Sequence, residues 1–368
     1  MIYILHNKVF ENGKLCIGGI QTYLYNLGQA LAGQHKVVIC QLGDEFKKFE
    51  VNAITVIEVP TDKVKKIPIY KELNITNSDI VIWGTDSNVS KYGFKSVSIQ
   101  HGIGFDYTNS GSKVKTLLMK SPLGHLFKLG QRLKSLKLTS VADHIVCVDY
   151  NYLNWYRTYT RSNMTTKITA IPNFTSLPDS EPSILKDKKV IEIVYARRFI
   201  EKRGVYIFCD AIKNLLKRHK NINVTFAGDG PLKSYIEDVF KNENRVRITS
   251  YSADESLEFH QRFDIAVVPT IAGEGTSLSL LEAMASGCAV IASNVGGMTN
   301  IILSEFNGLL IDPTAIAIEK GLEKLILDST LRTKLSKNAY CSVSSAFSYE
   351  KWKVEWLDII NRLYNEEK

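Results

Sequence analysis

Short apolar runs recur along the chain, separated by stretches in which apolar residues fall every three or four positions. The runs at 1–6, 37–40, 54–59, 80–83, 96–100, 143–149, 190–195, 224–227, 246–249, 265–270 and 288–292 predict β-strands. Between the first two, Ile20, Leu24, Leu27 and Leu31 share a helical face that ends at Gly33. Residues 256–262 read as another helix and 171–174 as the strand partner of 143–149. Trp352, Trp356, Ile359 and Leu363 mark one face of a last helix that begins near Phe347. Strands alternating with amphipathic helices point to an α/β chain of parallel sheets.

The densest pattern is GEGTSLSLLEAMASGCAVIASNVGG, 273–297. The strand at 265–270 breaks into a loop of small residues with one carboxylate, Glu274. From about Ser277 the spacing of Leu278, Leu280, Leu281, Met284 and Ala285 is that of a buried helix, and Gly287 stands where a left-handed C-cap is wanted. Gly275, Thr276 and Ser277 leave the backbone uncovered at the helix N-terminus, where free N–H groups and the helix dipole favour an anion. Glu274 and Glu282 flank that point. A carboxylate pair beside an anion site is unfavourable unless the ligand also offers hydroxyls, and a sugar carried on a nucleotide diphosphate offers both. Taken alone, Glu282 reads equally as the capping-box partner of Ser279, and Glu274 as a solvated loop charge.

The whole string, following VVPT, resembles the donor-site signature of the family-4 retaining glycosyltransferases of bacterial polysaccharide type, which have the GT-B fold. The resemblance implies two facing Rossmann-like domains: an acceptor-side domain at 1–174, a nucleotide-sugar domain at 175–346, and a helix at 347–368 that crosses back to the first. A polar stretch with Pro178, Ser180, Pro182 and Ser183 marks the boundary. Gly18-Gly19 resembles the glycine loop of the family's first domain. His101 follows the strand at 96–100, where the family often has a histidine that hydrogen-bonds the donor sugar. The family pattern of roughly G-R-L, three residues, then K-G falls on 197–204. Arg197 replaces the glycine, Arg198 matches, and Arg203 takes the lysine position with Lys202 beside it. Which of Lys202 and Arg203 reaches phosphate stays open. By the same resemblance Glu282 holds the donor ribose and Glu274 the transferred sugar. Backbone N–H groups of Gly275, Thr276, Ser277 and Leu278, with Arg198 and Lys202 or Arg203, stabilise the leaving diphosphate. The implied catalytic set is Glu274, His101 and Arg198.

Composition narrows the setting. A chain of 368 residues suits two α/β domains. The six cysteines are far apart and form no C-x-x-C, which predicts reduced, mostly buried thiols. There is no D-x-D sequence or clustered ligand set, so no metal and no other cofactor is expected. MIYILHN reads as a strand, not a signal peptide, and no apolar run reaches membrane-span length. The net charge of +8 calls for an anionic partner, and no nucleic-acid recognition motif accompanies it. Between Tyr107 and Ala142 there is no acidic residue, whereas Lys113, Lys115, Lys120, Lys128, Arg132, Lys134 and Lys137 interleave with leucines. That pattern suits an anionic membrane surface or a lipid-linked diphosphate; the alternative is a solvated helix packing its leucines into the first domain.

The expected activity is therefore transfer of a sugar from a UDP- or GDP-linked donor to a lipid-linked or oligosaccharide acceptor of a surface polysaccharide such as lipopolysaccharide or capsule. The expected location is the cytoplasm, on the inner face of the cell membrane. Other readings are a silent nucleotide-sugar sensor or membrane scaffold, or an epimerase or phosphorylase of the same fold.

Overall fold

A computed structural model of the chain describes residues 1–16, 18–60, 73, 75–91, 93–104, 117, 121–159, 167–182 and 188–365. They fall into two units, each organised around a parallel sheet. One comprises Met1–His101, Leu117–Pro172 and Glu350–Lys368; the other is Asn173–Tyr349 together with the residues from Gly102.

The first unit's strands are β1 (Ile2–Leu5), β4 (Val37–Gly43), β5 (Lys47–Val51), β6 (Ile54–Pro60), β7 (Ile80–Trp83), β8 (Lys95–Gln100), β9 (His144–Cys147) and β10 (Ile168–Ala170), with a separate hairpin of β2 (Phe10–Glu11) and β3 (Lys14–Leu15). Their order is β10-β9-β8-β7-β1-β4-β6-β5, and every pairing is parallel except β5 on β6. Strands covered on both faces need apolar side chains on both, and IYIL of β1 and IVIW of β7 are wholly buried. The helix Gly19–Ala32 lies between β3 and β4 in the chain and buries Leu24, Leu27 and Leu31.

The last helix, Tyr349–Asn365, belongs to this unit. Trp356 Nε1 donates to Tyr23 Oη at 2.9 Å, the Trp352 ring meets Tyr23 edge-on at 5.4 Å, and Lys95 Nζ donates to Leu363 O at 2.7 Å. Three aromatic side chains enclosed together make this a substantial apolar seal.

The second unit's sheet contains β11 (Ile191–Ala196), β12 (Ile222–Ala227), β13 (Val246–Thr249), β14 (Ile265–Val268), β15 (Ala289–Ser293) and β16 (Leu309–Ile311), ordered β13-β12-β11-β14-β15-β16 and parallel throughout. This is the doubly wound order that reverses beside the first strand, and ligands of such sheets sit beyond the strand ends at the reversal. Here the reversal falls between β11 and β14. On one face pack Tyr195, Phe208, Ile212, Phe226 and Leu322; on the other lie Val194, Leu281, Met284 and Ala339.

Several sequence expectations shift. The partner of β9 is 168–170, not 171–174: Ile171 N still donates to Cys147 O at 2.8 Å, but Pro172 has no N–H with which to continue the ladder. β9 stops at Cys147, and Asp149 instead caps the helix Tyr150–Arg157 by accepting from Asn151 N and Tyr152 N. The units divide at Pro172 and Tyr349, within three residues of the 174/175 and 346/347 divisions read from the sequence. Thr175 forms a bridge to Ser348 and donates its N–H to Phe347 O, which keeps both segments in the second unit. Gly102 to Gly104, expected in the first domain, also group with the second unit.

The basic stretch is helical over Gly124–Thr139, and while Leu138 packs on the core, the leucines nearer its start are not packed away. Leu123, Leu126, Leu129 and Leu133 are 47–66 % exposed, as is Leu117 at 74 %. Lys134 and Lys137 are exposed beside them, and Lys128 and Arg132 are half-buried. Lys113, Lys115 and Lys120 lie outside the described residues. No helix among the described residues is long and apolar enough to cross a membrane.

Candidate active site

At the exit of β11 the chain passes through Arg197 and Arg198 into a short 3-10 turn, Glu201–Arg203, and then Gly204. Gly204 has φ +81°, and a Cβ there would stand 1.9 Å from Pro269 O, so only glycine lets the turn lie against the end of β14. Ile271 N also donates to Lys202 O at 3.0 Å. These contacts carry Lys202 and Arg203 to the loop that holds Glu274.

The loop is fixed from below by the two glycines that close the conspicuous sequence string. Gly297 N donates to Glu274 O at 3.0 Å, and a Cβ on Gly296 or Gly297 would come within 2.1 or 2.4 Å of the Glu274 and Gly275 backbone. From the side, Asn173 Nδ2 donates to Thr276 O at 2.6 Å, leaving Asn173 Oδ1 buried without a hydrogen-bond partner. The helix Leu278–Ala285 then starts from Ser277, whose side chain makes no capping bond, and ends at Gly287 with φ +83°. Thr276 and Ser277 are buried, so the first-turn N–H groups emerge from an enclosed loop.

Glu274 is 8 % exposed. Its Oε2 accepts from Arg197 Nη2 at 2.9 Å and Thr270 Oγ1 at 3.0 Å, and also pairs with Arg203 Nη1. Lys202 lies against the preceding residue of the loop, its Nζ 2.6 Å from where a Cβ on Gly273 would stand. Two arginines thus pair with one carboxylate, and the Lys202 ammonium lies at Gly273 of the same loop. Burial pulls the Arg203 guanidinium down to about 9, with the Arg197 charge adding to it, and pulls Arg197 down to about 10. Lys202 is lowered by burial and then by Arg203 and Arg197. Mutual repulsion of this kind is relieved by a further anion.

Glu282 is reached by Ser256 Oγ at 2.8 Å, so it is not the capping partner of Ser279. Burial raises its carboxyl, while the Ser256 bond and the Arg197 charge act the other way. Arg197 therefore stands in the field of both glutamates. Arg198, by contrast, is exposed and forms no ion pair among the described residues. Of the residues expected at the site, the second unit gathers Glu274, Glu282, Gly275, Thr276, Ser277, Leu278, Lys202 and Arg203, and turns Arg198 outward. Both Lys202 and Arg203 reach the loop. Arg197, Thr270, Asn173 and Ser256 were not among the expected residues; the one signal for them was that Arg197 breaks the glycine pattern.

Gly18, Gly19 and His101 lie on the first unit. Gly18 begins the helix Gly19–Ala32 without a side-chain cap. His101 Nε2 bonds to Gly84 O at 2.8 Å, and burial lowers its pKa to about 4, so the ring is neutral with Nε2 as donor and Nδ1 left as an acceptor. No group of three or more His, Cys, Asp or Glu side chains among the described residues is placed to hold a metal.

Residues 178–341 match the family described as "Glycosyl transferases group 1". An uncharacterized glycosyltransferase of Methanocaldococcus jannaschii is 27 % identical over 178 residues, 47 % of this chain and 45 % of that protein. The chain spans under half the length of that relative. A second such protein of the same organism is 23 % identical over 95 % of this chain and 96 % of its own. Among solved structures, Anabaena HepE in complex with UDP-glucose superposes with a TM-score of 0.72 at 15 % identity, covering 98 % of this chain and 99 % of that one. The chain has the GT-B fold, and within its second unit residues 178–341 are similar to the glycosyl transferases group 1 family.

Proposed function

We propose that this protein is a retaining, metal-independent glycosyltransferase that takes its sugar from a nucleotide-linked donor. The observation that carries the reading is the clustering of Arg197, Lys202 and Arg203 at the loop of Gly273 and Glu274, beside a helix N-terminus without a side-chain cap. A diphosphate supplies negative charge to the cluster, and the N–H groups at the start of the helix Leu278–Ala285 point donors toward it. Glu282 accepts a ribose hydroxyl and Glu274 a hydroxyl of the transferred sugar. The HepE complex with UDP-glucose supports a UDP-linked donor. As the diphosphate leaves, Lys202, Arg203 and the helix N-terminus take up its growing charge, the task a metal performs elsewhere.

The acceptor reading rests on the helix Gly124–Thr139. Exposed leucines with lysines beside them fit an anionic bilayer, where the apolar side chains enter the headgroup boundary and the ammonium groups meet lipid phosphates. A lipid-linked glycan presented there is the acceptor class that this surface favours, with the protein peripheral to the membrane.

Thermal unfolding against a panel of UDP- and GDP-linked sugars, with and without EDTA, tests the donor reading. A ligand at a hundredfold its Kd adds about 2.7 kcal/mol, so one donor class should raise Tm by several degrees, and EDTA should leave both that rise and the transfer rate unchanged. If no nucleotide sugar shifts Tm, the donor reading is wrong; transfer lost with EDTA and restored by magnesium overturns the leaving-group assignment.

A further inference from the structure

The Glu274 carboxylate is gripped on one side only. Oε2 takes Arg197 Nη2, Thr270 Oγ1 and Arg203 Nη1, and no bond reaches Oε1 among the described residues. A carboxylate has about four lone-pair positions over two oxygens, so the two hydrogen-bond donors Arg197 Nη2 and Thr270 Oγ1 fill Oε2, with the Arg203 charge beside it, and leave the capacity of Oε1 unspent. The grip is also directional. Arg197 Nη1 donates to Thr270 Oγ1 at 2.5 Å, which occupies the acceptor side of that hydroxyl and turns its single hydrogen toward Glu274. Arg197, Thr270 and Glu274 form a closed ring in which each bond fixes the next. The Thr270 residue is fully buried and the Arg197 side chain 6 % exposed, so water does not compete for these bonds.

We propose that Arg197 is a positioning residue: through Thr270 and its own planar fork it locks Glu274 by Oε2, so that Oε1 is presented as the acceptor for a hydroxyl of the transferred sugar. The proposal rests on the nucleotide-sugar reading of this site. An unrestrained glutamate carboxylate turns broadly about its last torsion, and a fork that reaches both the carboxylate and its threonine neighbour removes that freedom. Lysine keeps the charge at this position without the fork; glycine, the residue of the pattern that 197–204 otherwise follows, removes both.

Isothermal titration of wild type, Arg197→Lys, Arg197→Gly and Thr270→Val with UDP-glucose, UDP-N-acetylglucosamine, GDP-mannose, UDP and GDP decides the matter. For the nucleotide sugar that wild type binds, all three variants should raise Kd about tenfold, while in Arg197→Lys and Thr270→Val, which keep the charge, Kd for the matching free diphosphate stays within about twofold. Thr270→Val is isosteric and leaves the arginine in place, so it reports on the ring even if an Arg197 variant fails to fold. Sugar and diphosphate affinities that move together would reveal a merely structural role. An Arg197→Lys protein that binds the sugar like wild type would reduce Arg197 to a point charge. Either result overturns the assignment alone, whereas wild type that binds none of the nucleotide sugars overturns the donor reading and this assignment with it.

Discussion

Glu282 and Arg198 show how much single side chains reveal before a fold is known. Glu282 was marked by its spacing from Glu274, but the hydroxyl that orients it, Ser256 Oγ, comes from 26 residues away, and nothing in the local pattern points to it. If Glu282 receives a ribose hydroxyl, Glu282→Ala should weaken nucleotide binding by about 1.5–3 kcal/mol, the worth of a hydrogen bond to a charged group. Titration calorimetry on the folded variant checks this, and an unchanged Kd removes Glu282 from the donor site. Arg197 and Arg198 are adjacent where β11 ends, and successive side chains on an extended segment face opposite ways. One joins Glu274 and the other faces solvent. Which does which follows from the exit path, pinned where Gly228, whose Cβ would lie 2.2 Å from Arg197 O, presses on the backbone. A pattern match could mark both arginines without choosing between them.

Among the elements, buried strands and the Leu278–Ala285 helix were legible because their periodicity is a direct image of burial. Less was legible where partners decide. β5, reading KKFEV, is an edge strand with little burial, and its only credential is its antiparallel pairing with β6. The helix Gly124–Thr139 carries a leucine pattern compatible with either packing or exposure, and only the three-dimensional arrangement shows Leu126, Leu129 and Leu133 uncovered. Because these side chains support no core, Leu126→Ser, Leu129→Ser and Leu133→Ser together should leave Tm within a few degrees. The same triple variant should lose most of its flotation with vesicles containing phosphatidylglycerol. Wild type should bind those vesicles at low salt, bind neutral ones weakly, and release as ionic strength shortens the Debye length. Wild type that ignores anionic vesicles would leave the helix as an ordinary solvated face.

At the scale of the whole molecule, imidazoles that their surroundings make hard to protonate set an acid limit on stability. Burial lowers His101, His144 and His260 to about 4, and the Arg362 charge adds to the effect at His144. Each group is harder to protonate when folded than its ordinary 6.5, so between those values the unfolded chain binds more protons and stability falls as pH falls. At pH 5.5 each imidazole costs about 1 kcal/mol relative to pH 7.5. Urea midpoints should therefore be lower at pH 5.5, and equal midpoints would mean that the folded imidazoles titrate near their ordinary value. Asp86, Asp149 and Glu282, raised by burial, act in the opposite sense nearer their own range, which makes pH 5.5 a better comparison than pH 4.

The last helix has a consequence for how the molecule is made. Translation delivers the chain from its N-terminus, and domains begin to fold as they emerge. The second unit is complete once Tyr349 has been synthesised, whereas the first lacks the helix that brings Trp352 and Trp356 to Tyr23 until residues 350–365 have followed. The unit that starts first therefore finishes last. A nascent chain halted near residue 349 would carry a finished second unit and a first one whose aromatic seam is still open to water, an invitation to chaperones or to aggregation that closes only once residues 350–365 have been made.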